Sequence, residues 1–164
     1  MGTVAGDTVP WADFEHADPT LARLVQERLE SHRHAVLATL RTDGSPRLSG
    51  MEAPIRSGQL WLAMTPGSLK AEDLGRDPRY SLHSAPDSED LSEGDARIDG
   101  VVLAADPGQQ AEFVAGHRYH VEDPSIMELY LALIKGVVLV RVLEDSLLIE
   151  SWTPSRGRST QRRQ

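Results

Sequence analysis

Three short apolar runs in the first half of the chain, and the brevity of the turns between them, constrain the fold most. Residues 35–41 read Ala-Val-Leu-Ala-Thr-Leu-Arg, a buried strand; Thr42-Asp43-Gly44-Ser45-Pro46 is a hairpin turn signal, and Arg47–Pro54 is the return strand. Ser57-Gly58 turns the chain again into a third strand, Gln59–Met64. Parallel neighbours need crossovers of a dozen or more residues. The turns here are too short for that, so a doubly wound sheet is disfavoured and the three strands read as an antiparallel meander.

The rest of the chain adds strands and a few helices. Residues 1–19 are rich in Gly, Pro and Asp and read as a flexible segment. Leu21, Leu24, Val25 and Leu29 then recur at helical spacing between Asp18-Pro19 and Ser31-His32, an amphipathic lid for a sheet. A helix opens at Ser68 and ends by Arg76, because Pro78 disfavours helical geometry at Asp77. Tyr80–Ser84 is a strand, Pro86–Asp95 an acidic solvated loop, and Ala96–Ala105 alternates again. A helical segment from Pro107-Gly108 to about His117 and a short helix around Ser125–Leu133 precede the last strands, Lys135–Leu143 and Ser146–Thr153. The pattern is mainly β with flanking helices, six or seven antiparallel strands in a closed or nearly closed barrel. One domain over 20–154 is expected, followed by a basic tail at 155–164 read as a solvated, disordered terminus.

Composition removes several functions. The net charge is −8, so the body repels phosphate backbones; the tail arginines Arg156, Arg158, Arg162 and Arg163 are the one basic cluster, and no nucleic-acid partner is expected. Cysteine is absent, which excludes disulfides and thiolate metal sites. The most apolar stretch, Leu129–Leu143, is broken by Lys135 and Arg141, and the N-terminus has no leader pattern; a soluble, cytoplasmic protein without a membrane role is expected. Dinucleotide, Walker and nucleophile-elbow motifs are missing. His32 with His34, and His117 with His120, lack the further ligands that a metal site needs, so no metal is expected.

The strongest site signal lies at residues 59–78, where an apolar strand breaks at Pro66-Gly67 and restarts as a helix whose first turn holds Ser68 and Lys70. Unpaired N–H groups at a helix start favour an anion, and a hydroxyl and an ammonium there add charge-assisted hydrogen bonds. Lysine is scarce here, and a helix N-terminus is a poor place for a cation on dipole grounds, which favours a ligand role for Lys70. Ser68 could equally cap the helix. Trp61, alternating with Leu60 and Leu62, fits core or subunit packing.

The stretch Ala35–Pro86, through its Ala-Val-Leu-Ala-Thr-Leu strand, Asp-Gly-Ser-Pro-Arg turn, Leu-Trp-Leu-Ala-Met-Thr strand, Gly-Ser-Leu-Lys-Ala and Asp-Pro-Arg-Tyr-Ser-Leu, resembles the FMN-binding split barrels related to pyridoxamine 5'-phosphate oxidase. The resemblance implies a Greek-key split β-barrel and a homodimer with two flavin sites at the subunit interface. It places Arg47, Leu48 and Ser49 along the flavin and its phosphate arm. Met64 and Thr65 would meet the ring or ribityl chain, while Ser68, Leu69 and Lys70 form the phosphate seat. Trp152 is a candidate to close over the neighbouring subunit's cofactor.

Two departures narrow the activity. Leu69-Lys70 stands where the true oxidases resemble one another in Arg-Lys, and Glu52 or its neighbour stands where they carry lysine. Glu150-Ser151-Trp152-Thr153-Pro154 lacks their Arg-X-His pattern. Vitamin B6 oxidation is therefore not expected. The expected function is hydride transfer between a reduced cofactor, FMN or a deazaflavin, and a small organic acceptor. The competing readings are a non-catalytic module for flavin, deazaflavin or haem, and a barrel that has lost its ligand and persists as a dimeric interaction protein. Flavin chemistry demands few side chains, so no catalytic residue is assigned.

Overall fold

A computed structural model of the chain describes residues 7–87, 89–116 and 123–164. Two helices, α1 (Trp11–Ala17) and α2 (Pro19–Glu30), precede β1 (Ala35–Leu40), β2 (Pro46–Met51), β3 (Ile55–Arg56) and β4 (Gln59–Met64). Helix α3 (Leu69–Arg76), β5 (Arg79–His83), β6 (Asp95–Ala104) and α4 (Pro107–Ala115) follow. The chain then runs through β7 (Glu128–Leu143), β8 (Ser146–Thr153) and β9 (Gly157–Arg163). Every strand pairing among these elements is antiparallel.

Strand order is β2-β1-β5-β6-β7-β4-β3, with β8 on β7 and β9 on β8. The 16-residue β7 is the spine. One edge follows β6; the other takes β4 near Glu128–Leu131 and β8 from Val137 onward, and the sheet divides between those two partners. At the Asp99/Gly100 bulge the backbones come so close that a Cβ on Gly100 would lie 1.8 Å from the Leu133 carbonyl oxygen. Only glycine fits there.

Alternation on β1 sends Ala35, Leu37 and Thr39 inward, and on β8 it buries Ser146, Leu148, Glu150 and Trp152. The main core joins Ala35, Leu37 and Trp152 to the buried faces of α1, α2 and α3. Asp18 caps α2 by accepting the Leu21 N–H at 3.1 Å, with Pro19 at the first helical position. A smaller cluster forms where Phe113 of α4 meets Trp61, their ring centroids 5.1 Å apart.

Several expectations are corrected. Strand β4 does not complete a meander with β2; it pairs with β3 and β7, while β5 takes the second edge of β1. Short turns fix antiparallel direction but not which distant strand fills an edge. Residues 128–133, read as part of a short helix around Ser125–Leu133, belong to β7, because their run is buried on both faces and carries no period to distinguish strand from helix. The supposedly flexible N-terminal segment contains α1, which buries Trp11 and Phe14. The tail is solvent-exposed but not disordered: it is strand β9, drawn onto the edge of β8. Among the described residues there are nine strands, the additions being β3, of two residues, and β9, of seven.

Candidate cofactor site

The end of β4 delivers Met64 and Thr65 to a break where Gly67 takes φ +66°, and α3 starts at Leu69. The Ser68 N–H bonds the Thr65 carbonyl at 3.1 Å. Ser68 occupies the capping position with extended backbone, yet its hydroxyl makes no cap bond, and its Oγ is buried without a hydrogen-bond partner. That is an orphaned polar atom at a helix start, where backbone N–H groups also lack carbonyl partners within the helix.

Beside it opens a cleft of about 400 Å³ lined by β2, β4, the first turn of α3 and the segment before β7. Met64, Thr65 and Lys70 line it together with Gly50, Met51 and Glu52. Arg33, His34, Ala63, Ile126 and Met127 complete the wall. Arg33 is engaged, its Nε donating to Glu52 Oε1 at 2.5 Å. Among the described residues lining the cleft, Lys70 is the cation with no ion pair. Lys70 lines the cleft, while the orphaned Ser68 hydroxyl is buried two residues before it at the same helix start and does not itself line the cavity; an ammonium in the cleft beside a helix N-terminus with an unsatisfied hydroxyl fits a phosphorylated cofactor.

Arg47 has a different setting. It points inward from β2 opposite Thr39, and its Nε donates to Asp73 Oδ2 at 2.7 Å. Thr39 Oγ1 donates to the same oxygen at 2.8 Å, and Arg76 Nη2 reaches Oδ1 at 3.4 Å while also donating to the Leu40 carbonyl. The Arg47 guanidinium, assisted by Thr39, holds the Asp73 carboxyl below its ordinary value against the opposing effect of burial. Arg47 thus clamps α3 onto β1 and β2, and it does not line the cleft.

The remaining site residues divide. Ser49 faces inward on β2 opposite Leu37, whereas Leu48 points out and is 71% exposed; Leu69 at the start of α3 is 59% exposed. Trp152 is not brought to the cleft. It lies 4.7 Å from Phe14 between ring centroids, inside its own core, because the β8 alternation turns it inward beneath α1. Sequence reasoning missed Arg33, His34, Met51, Ile126 and Met127 as cleft residues. Only the alternation of β2 could have signalled Met51; the others arrive from segments with no periodicity.

Among the described residues no group of three or more His, Asp or Glu side chains is placed to hold a metal, and no helix is long and apolar enough to cross a membrane. His117 and His120 lie outside the described residues.

Residues 21–133 match the pyridoxamine 5'-phosphate oxidase family, and the chain belongs to that family. Its split-barrel architecture agrees with the solved structures it resembles. One is PhzG from Burkholderia lata in complex with tetrahydrophenazine-1-carboxylic acid (TM-score 0.68, 12% identity, 94% of this chain and 93% of that one). Another is a pyridoxamine 5'-phosphate oxidase-related, FMN-binding protein from Nostoc punctiforme (TM-score 0.62, 15% identity, 90% and 96%). A third is a heme-binding protein from Mycobacterium smegmatis (TM-score 0.61, 20% identity, 80% of this chain). The chain spans 58% of that protein's length. These identities establish likeness of fold. No curated protein matches the sequence.

Proposed function

We propose that the cleft beside α3 binds FMN, or a deazaflavin in its place, and that the protein is an oxidoreductase passing hydride between a reduced cofactor and a small organic acceptor. The observation that carries this reading is that Lys70, a cation with no ion pair, lines the cleft at a helix start whose capping residue, Ser68, has a buried hydroxyl without a partner. Lys70, Ser68 and the first N–H groups of α3 would hold the phosphate. Met64 and Thr65 would lie along the ribityl arm or ring, and Met51 and Met127 would supply apolar wall. Arg47 acts through α3, fixing the helix whose start forms the seat. The bound ring itself would supply hydride chemistry, and the protein contributes orientation and partial exclusion of water.

Pyridoxamine phosphate oxidation is disfavoured by two features. Glu52 puts a carboxylate in the cleft, and the C-terminal stretch that would need Arg-X-His instead buries Glu150 against Arg141 and Arg158. Exposed Leu48, Leu69 and Ile126 near the cleft support a homodimer that covers them and closes the cofactor between subunits.

A titration with FMN, riboflavin and a deazaflavin, followed by flavin absorbance and fluorescence, tests the reading. Saturable binding with FMN well ahead of riboflavin is expected, together with bleaching by a nicotinamide donor; equal, weak binding of FMN and riboflavin contradicts the phosphate seat. A second reading, haem binding, has its own support in His34, Met51, Met64 and Met127 around the cleft, since His and Met are haem ligands. A sharp Soret shift lost in His34→Ala would favour it over flavin.

A further inference from the structure

The Arg33–Glu52 ion pair stands at the boundary of two cavities. On one side is the cleft of about 400 Å³ described above; on the other, both residues line a second cavity of about 380 Å³ at the C-terminal end of α2. The second cavity has apolar wall from Leu29, Ala53 and Ile55. Its other charged side chains are already engaged. Glu30 accepts the Gln26 amide at 2.8 Å, and Arg56 donates to the Gly116 carbonyl at 2.9 Å with its guanidinium 5.3 Å over the Phe113 ring.

Arg33 and Glu52 are 58% and 48% exposed along their side chains, so their pair is a weak one that a ligand can replace. In a chain of net charge −8, the second cavity's own lining balances, Arg33 and Arg56 against Glu30 and Glu52, so a ligand carboxylate that takes the place of Glu52 on Arg33 preserves the local charge pattern. An arginine fork matches a carboxylate in shape as well as charge.

We propose that this second cavity is a binding site for a small organic carboxylate with an apolar body, and that Glu52 occupies the Arg33 guanidinium as an internal stand-in until such a ligand displaces it. The apolar body would rest on Leu29, Ala53 and Ile55, beside the cleft assigned to the cofactor. The proposal stands on the ion pair and its two cavities, whatever the first cleft holds.

A ligand-detected NMR titration of the full chain with benzoate, benzamide and benzamidine, each with and without saturating FMN, tests it. Benzoate is expected to bind about tenfold more tightly than benzamide, as a charged hydrogen bond does over a neutral one. Arg33→Gln should remove that advantage, and Glu52→Gln, which deletes the internal competitor, should strengthen benzoate severalfold. FMN should leave benzoate in place. Benzoate no better than benzamide, benzamidine tighter than either, indifference to Arg33→Gln, or displacement of benzoate by FMN would each overturn the proposal. Failure of FMN to bind would count against the flavin reading alone, since the benzoate arms are read without it.

Discussion

Lys70 and Arg47 sit on adjoining elements, yet their surroundings divide their work. Lys70 faces the cleft unpaired, so Lys70→Met should weaken FMN by about 1.5–3 kcal/mol and leave riboflavin almost unchanged, read by fluorescence titration. Asp73 is instead buried, its side chain 4% exposed, and it holds Arg47, which is 21% exposed. Asp73→Ala should cost stability near the low end of about 3–5 kcal/mol, because it leaves the guanidinium unpaired. The pH dependence has a definite sign. The folded Asp73 carboxyl lies below its unfolded value of about 3.9, so its contribution is present above about pH 4 and fades as pH falls through the folded value. Asp77, held down to about 2 by Arg79, acts in the same direction between about pH 4 and 2. Urea midpoints at pH 6 and pH 3 should therefore converge in Asp73→Asn relative to the parent protein. Lys70 was legible in the sequence because a cation at a helix start contradicts the helix dipole. The burial of Asp73 was not, because a lone acidic residue on a short helix looks solvated until a strand 26 residues earlier supplies Arg47.

Elements show where local pattern suffices and where it fails. Helix α2 begins and ends as its cap, its proline and its apolar spacing dictate. The β3–β4 turn was equally legible: Ser57 and Gly58 take φ +50° and +70°, as a two-residue hairpin requires. The Gly58 carbonyl then accepts the Ala12 N–H at 2.9 Å and seats α1. That helix was invisible beforehand because seven residues following a Pro- and Gly-rich start carry little period. Its weight is nonetheless measurable: Phe14→Ala should cost about 3–5 kcal/mol, since Phe14 packs between Trp11 and Trp152 and is fully buried. A thermal or denaturant midpoint no different from the parent would contradict that packing. Strand β9 was read as disordered because its arginines look like a tail; it is exposed as expected, but it pairs with β8, and Arg158 bridges Asp18 at the cap of α2 and Glu150 on β8.

At the scale of the whole molecule, β7 decides the architecture by sharing one edge between β4 and β8. Such nonlocal pairing leaves no trace in any short window of sequence, whereas strand direction and fold class do. The same scale carries the proposed dimer. Leu48 and Leu69 lie on the outside of β2 and at the start of α3, and their exposure is explained if a second copy covers them. Leu48→Asp with Leu69→Asp should shift sedimentation from dimer to monomer and weaken flavin binding with it; a parent protein that sediments as a monomer would contradict this. The most direct measurement of the central claim is a crystal structure of the protein with FMN. The account predicts the phosphate within hydrogen-bond distance of Lys70 Nζ, Ser68 Oγ and the first N–H groups of α3. A flavin bound with its phosphate away from that helix start, and Lys70 turned to solvent, would contradict it.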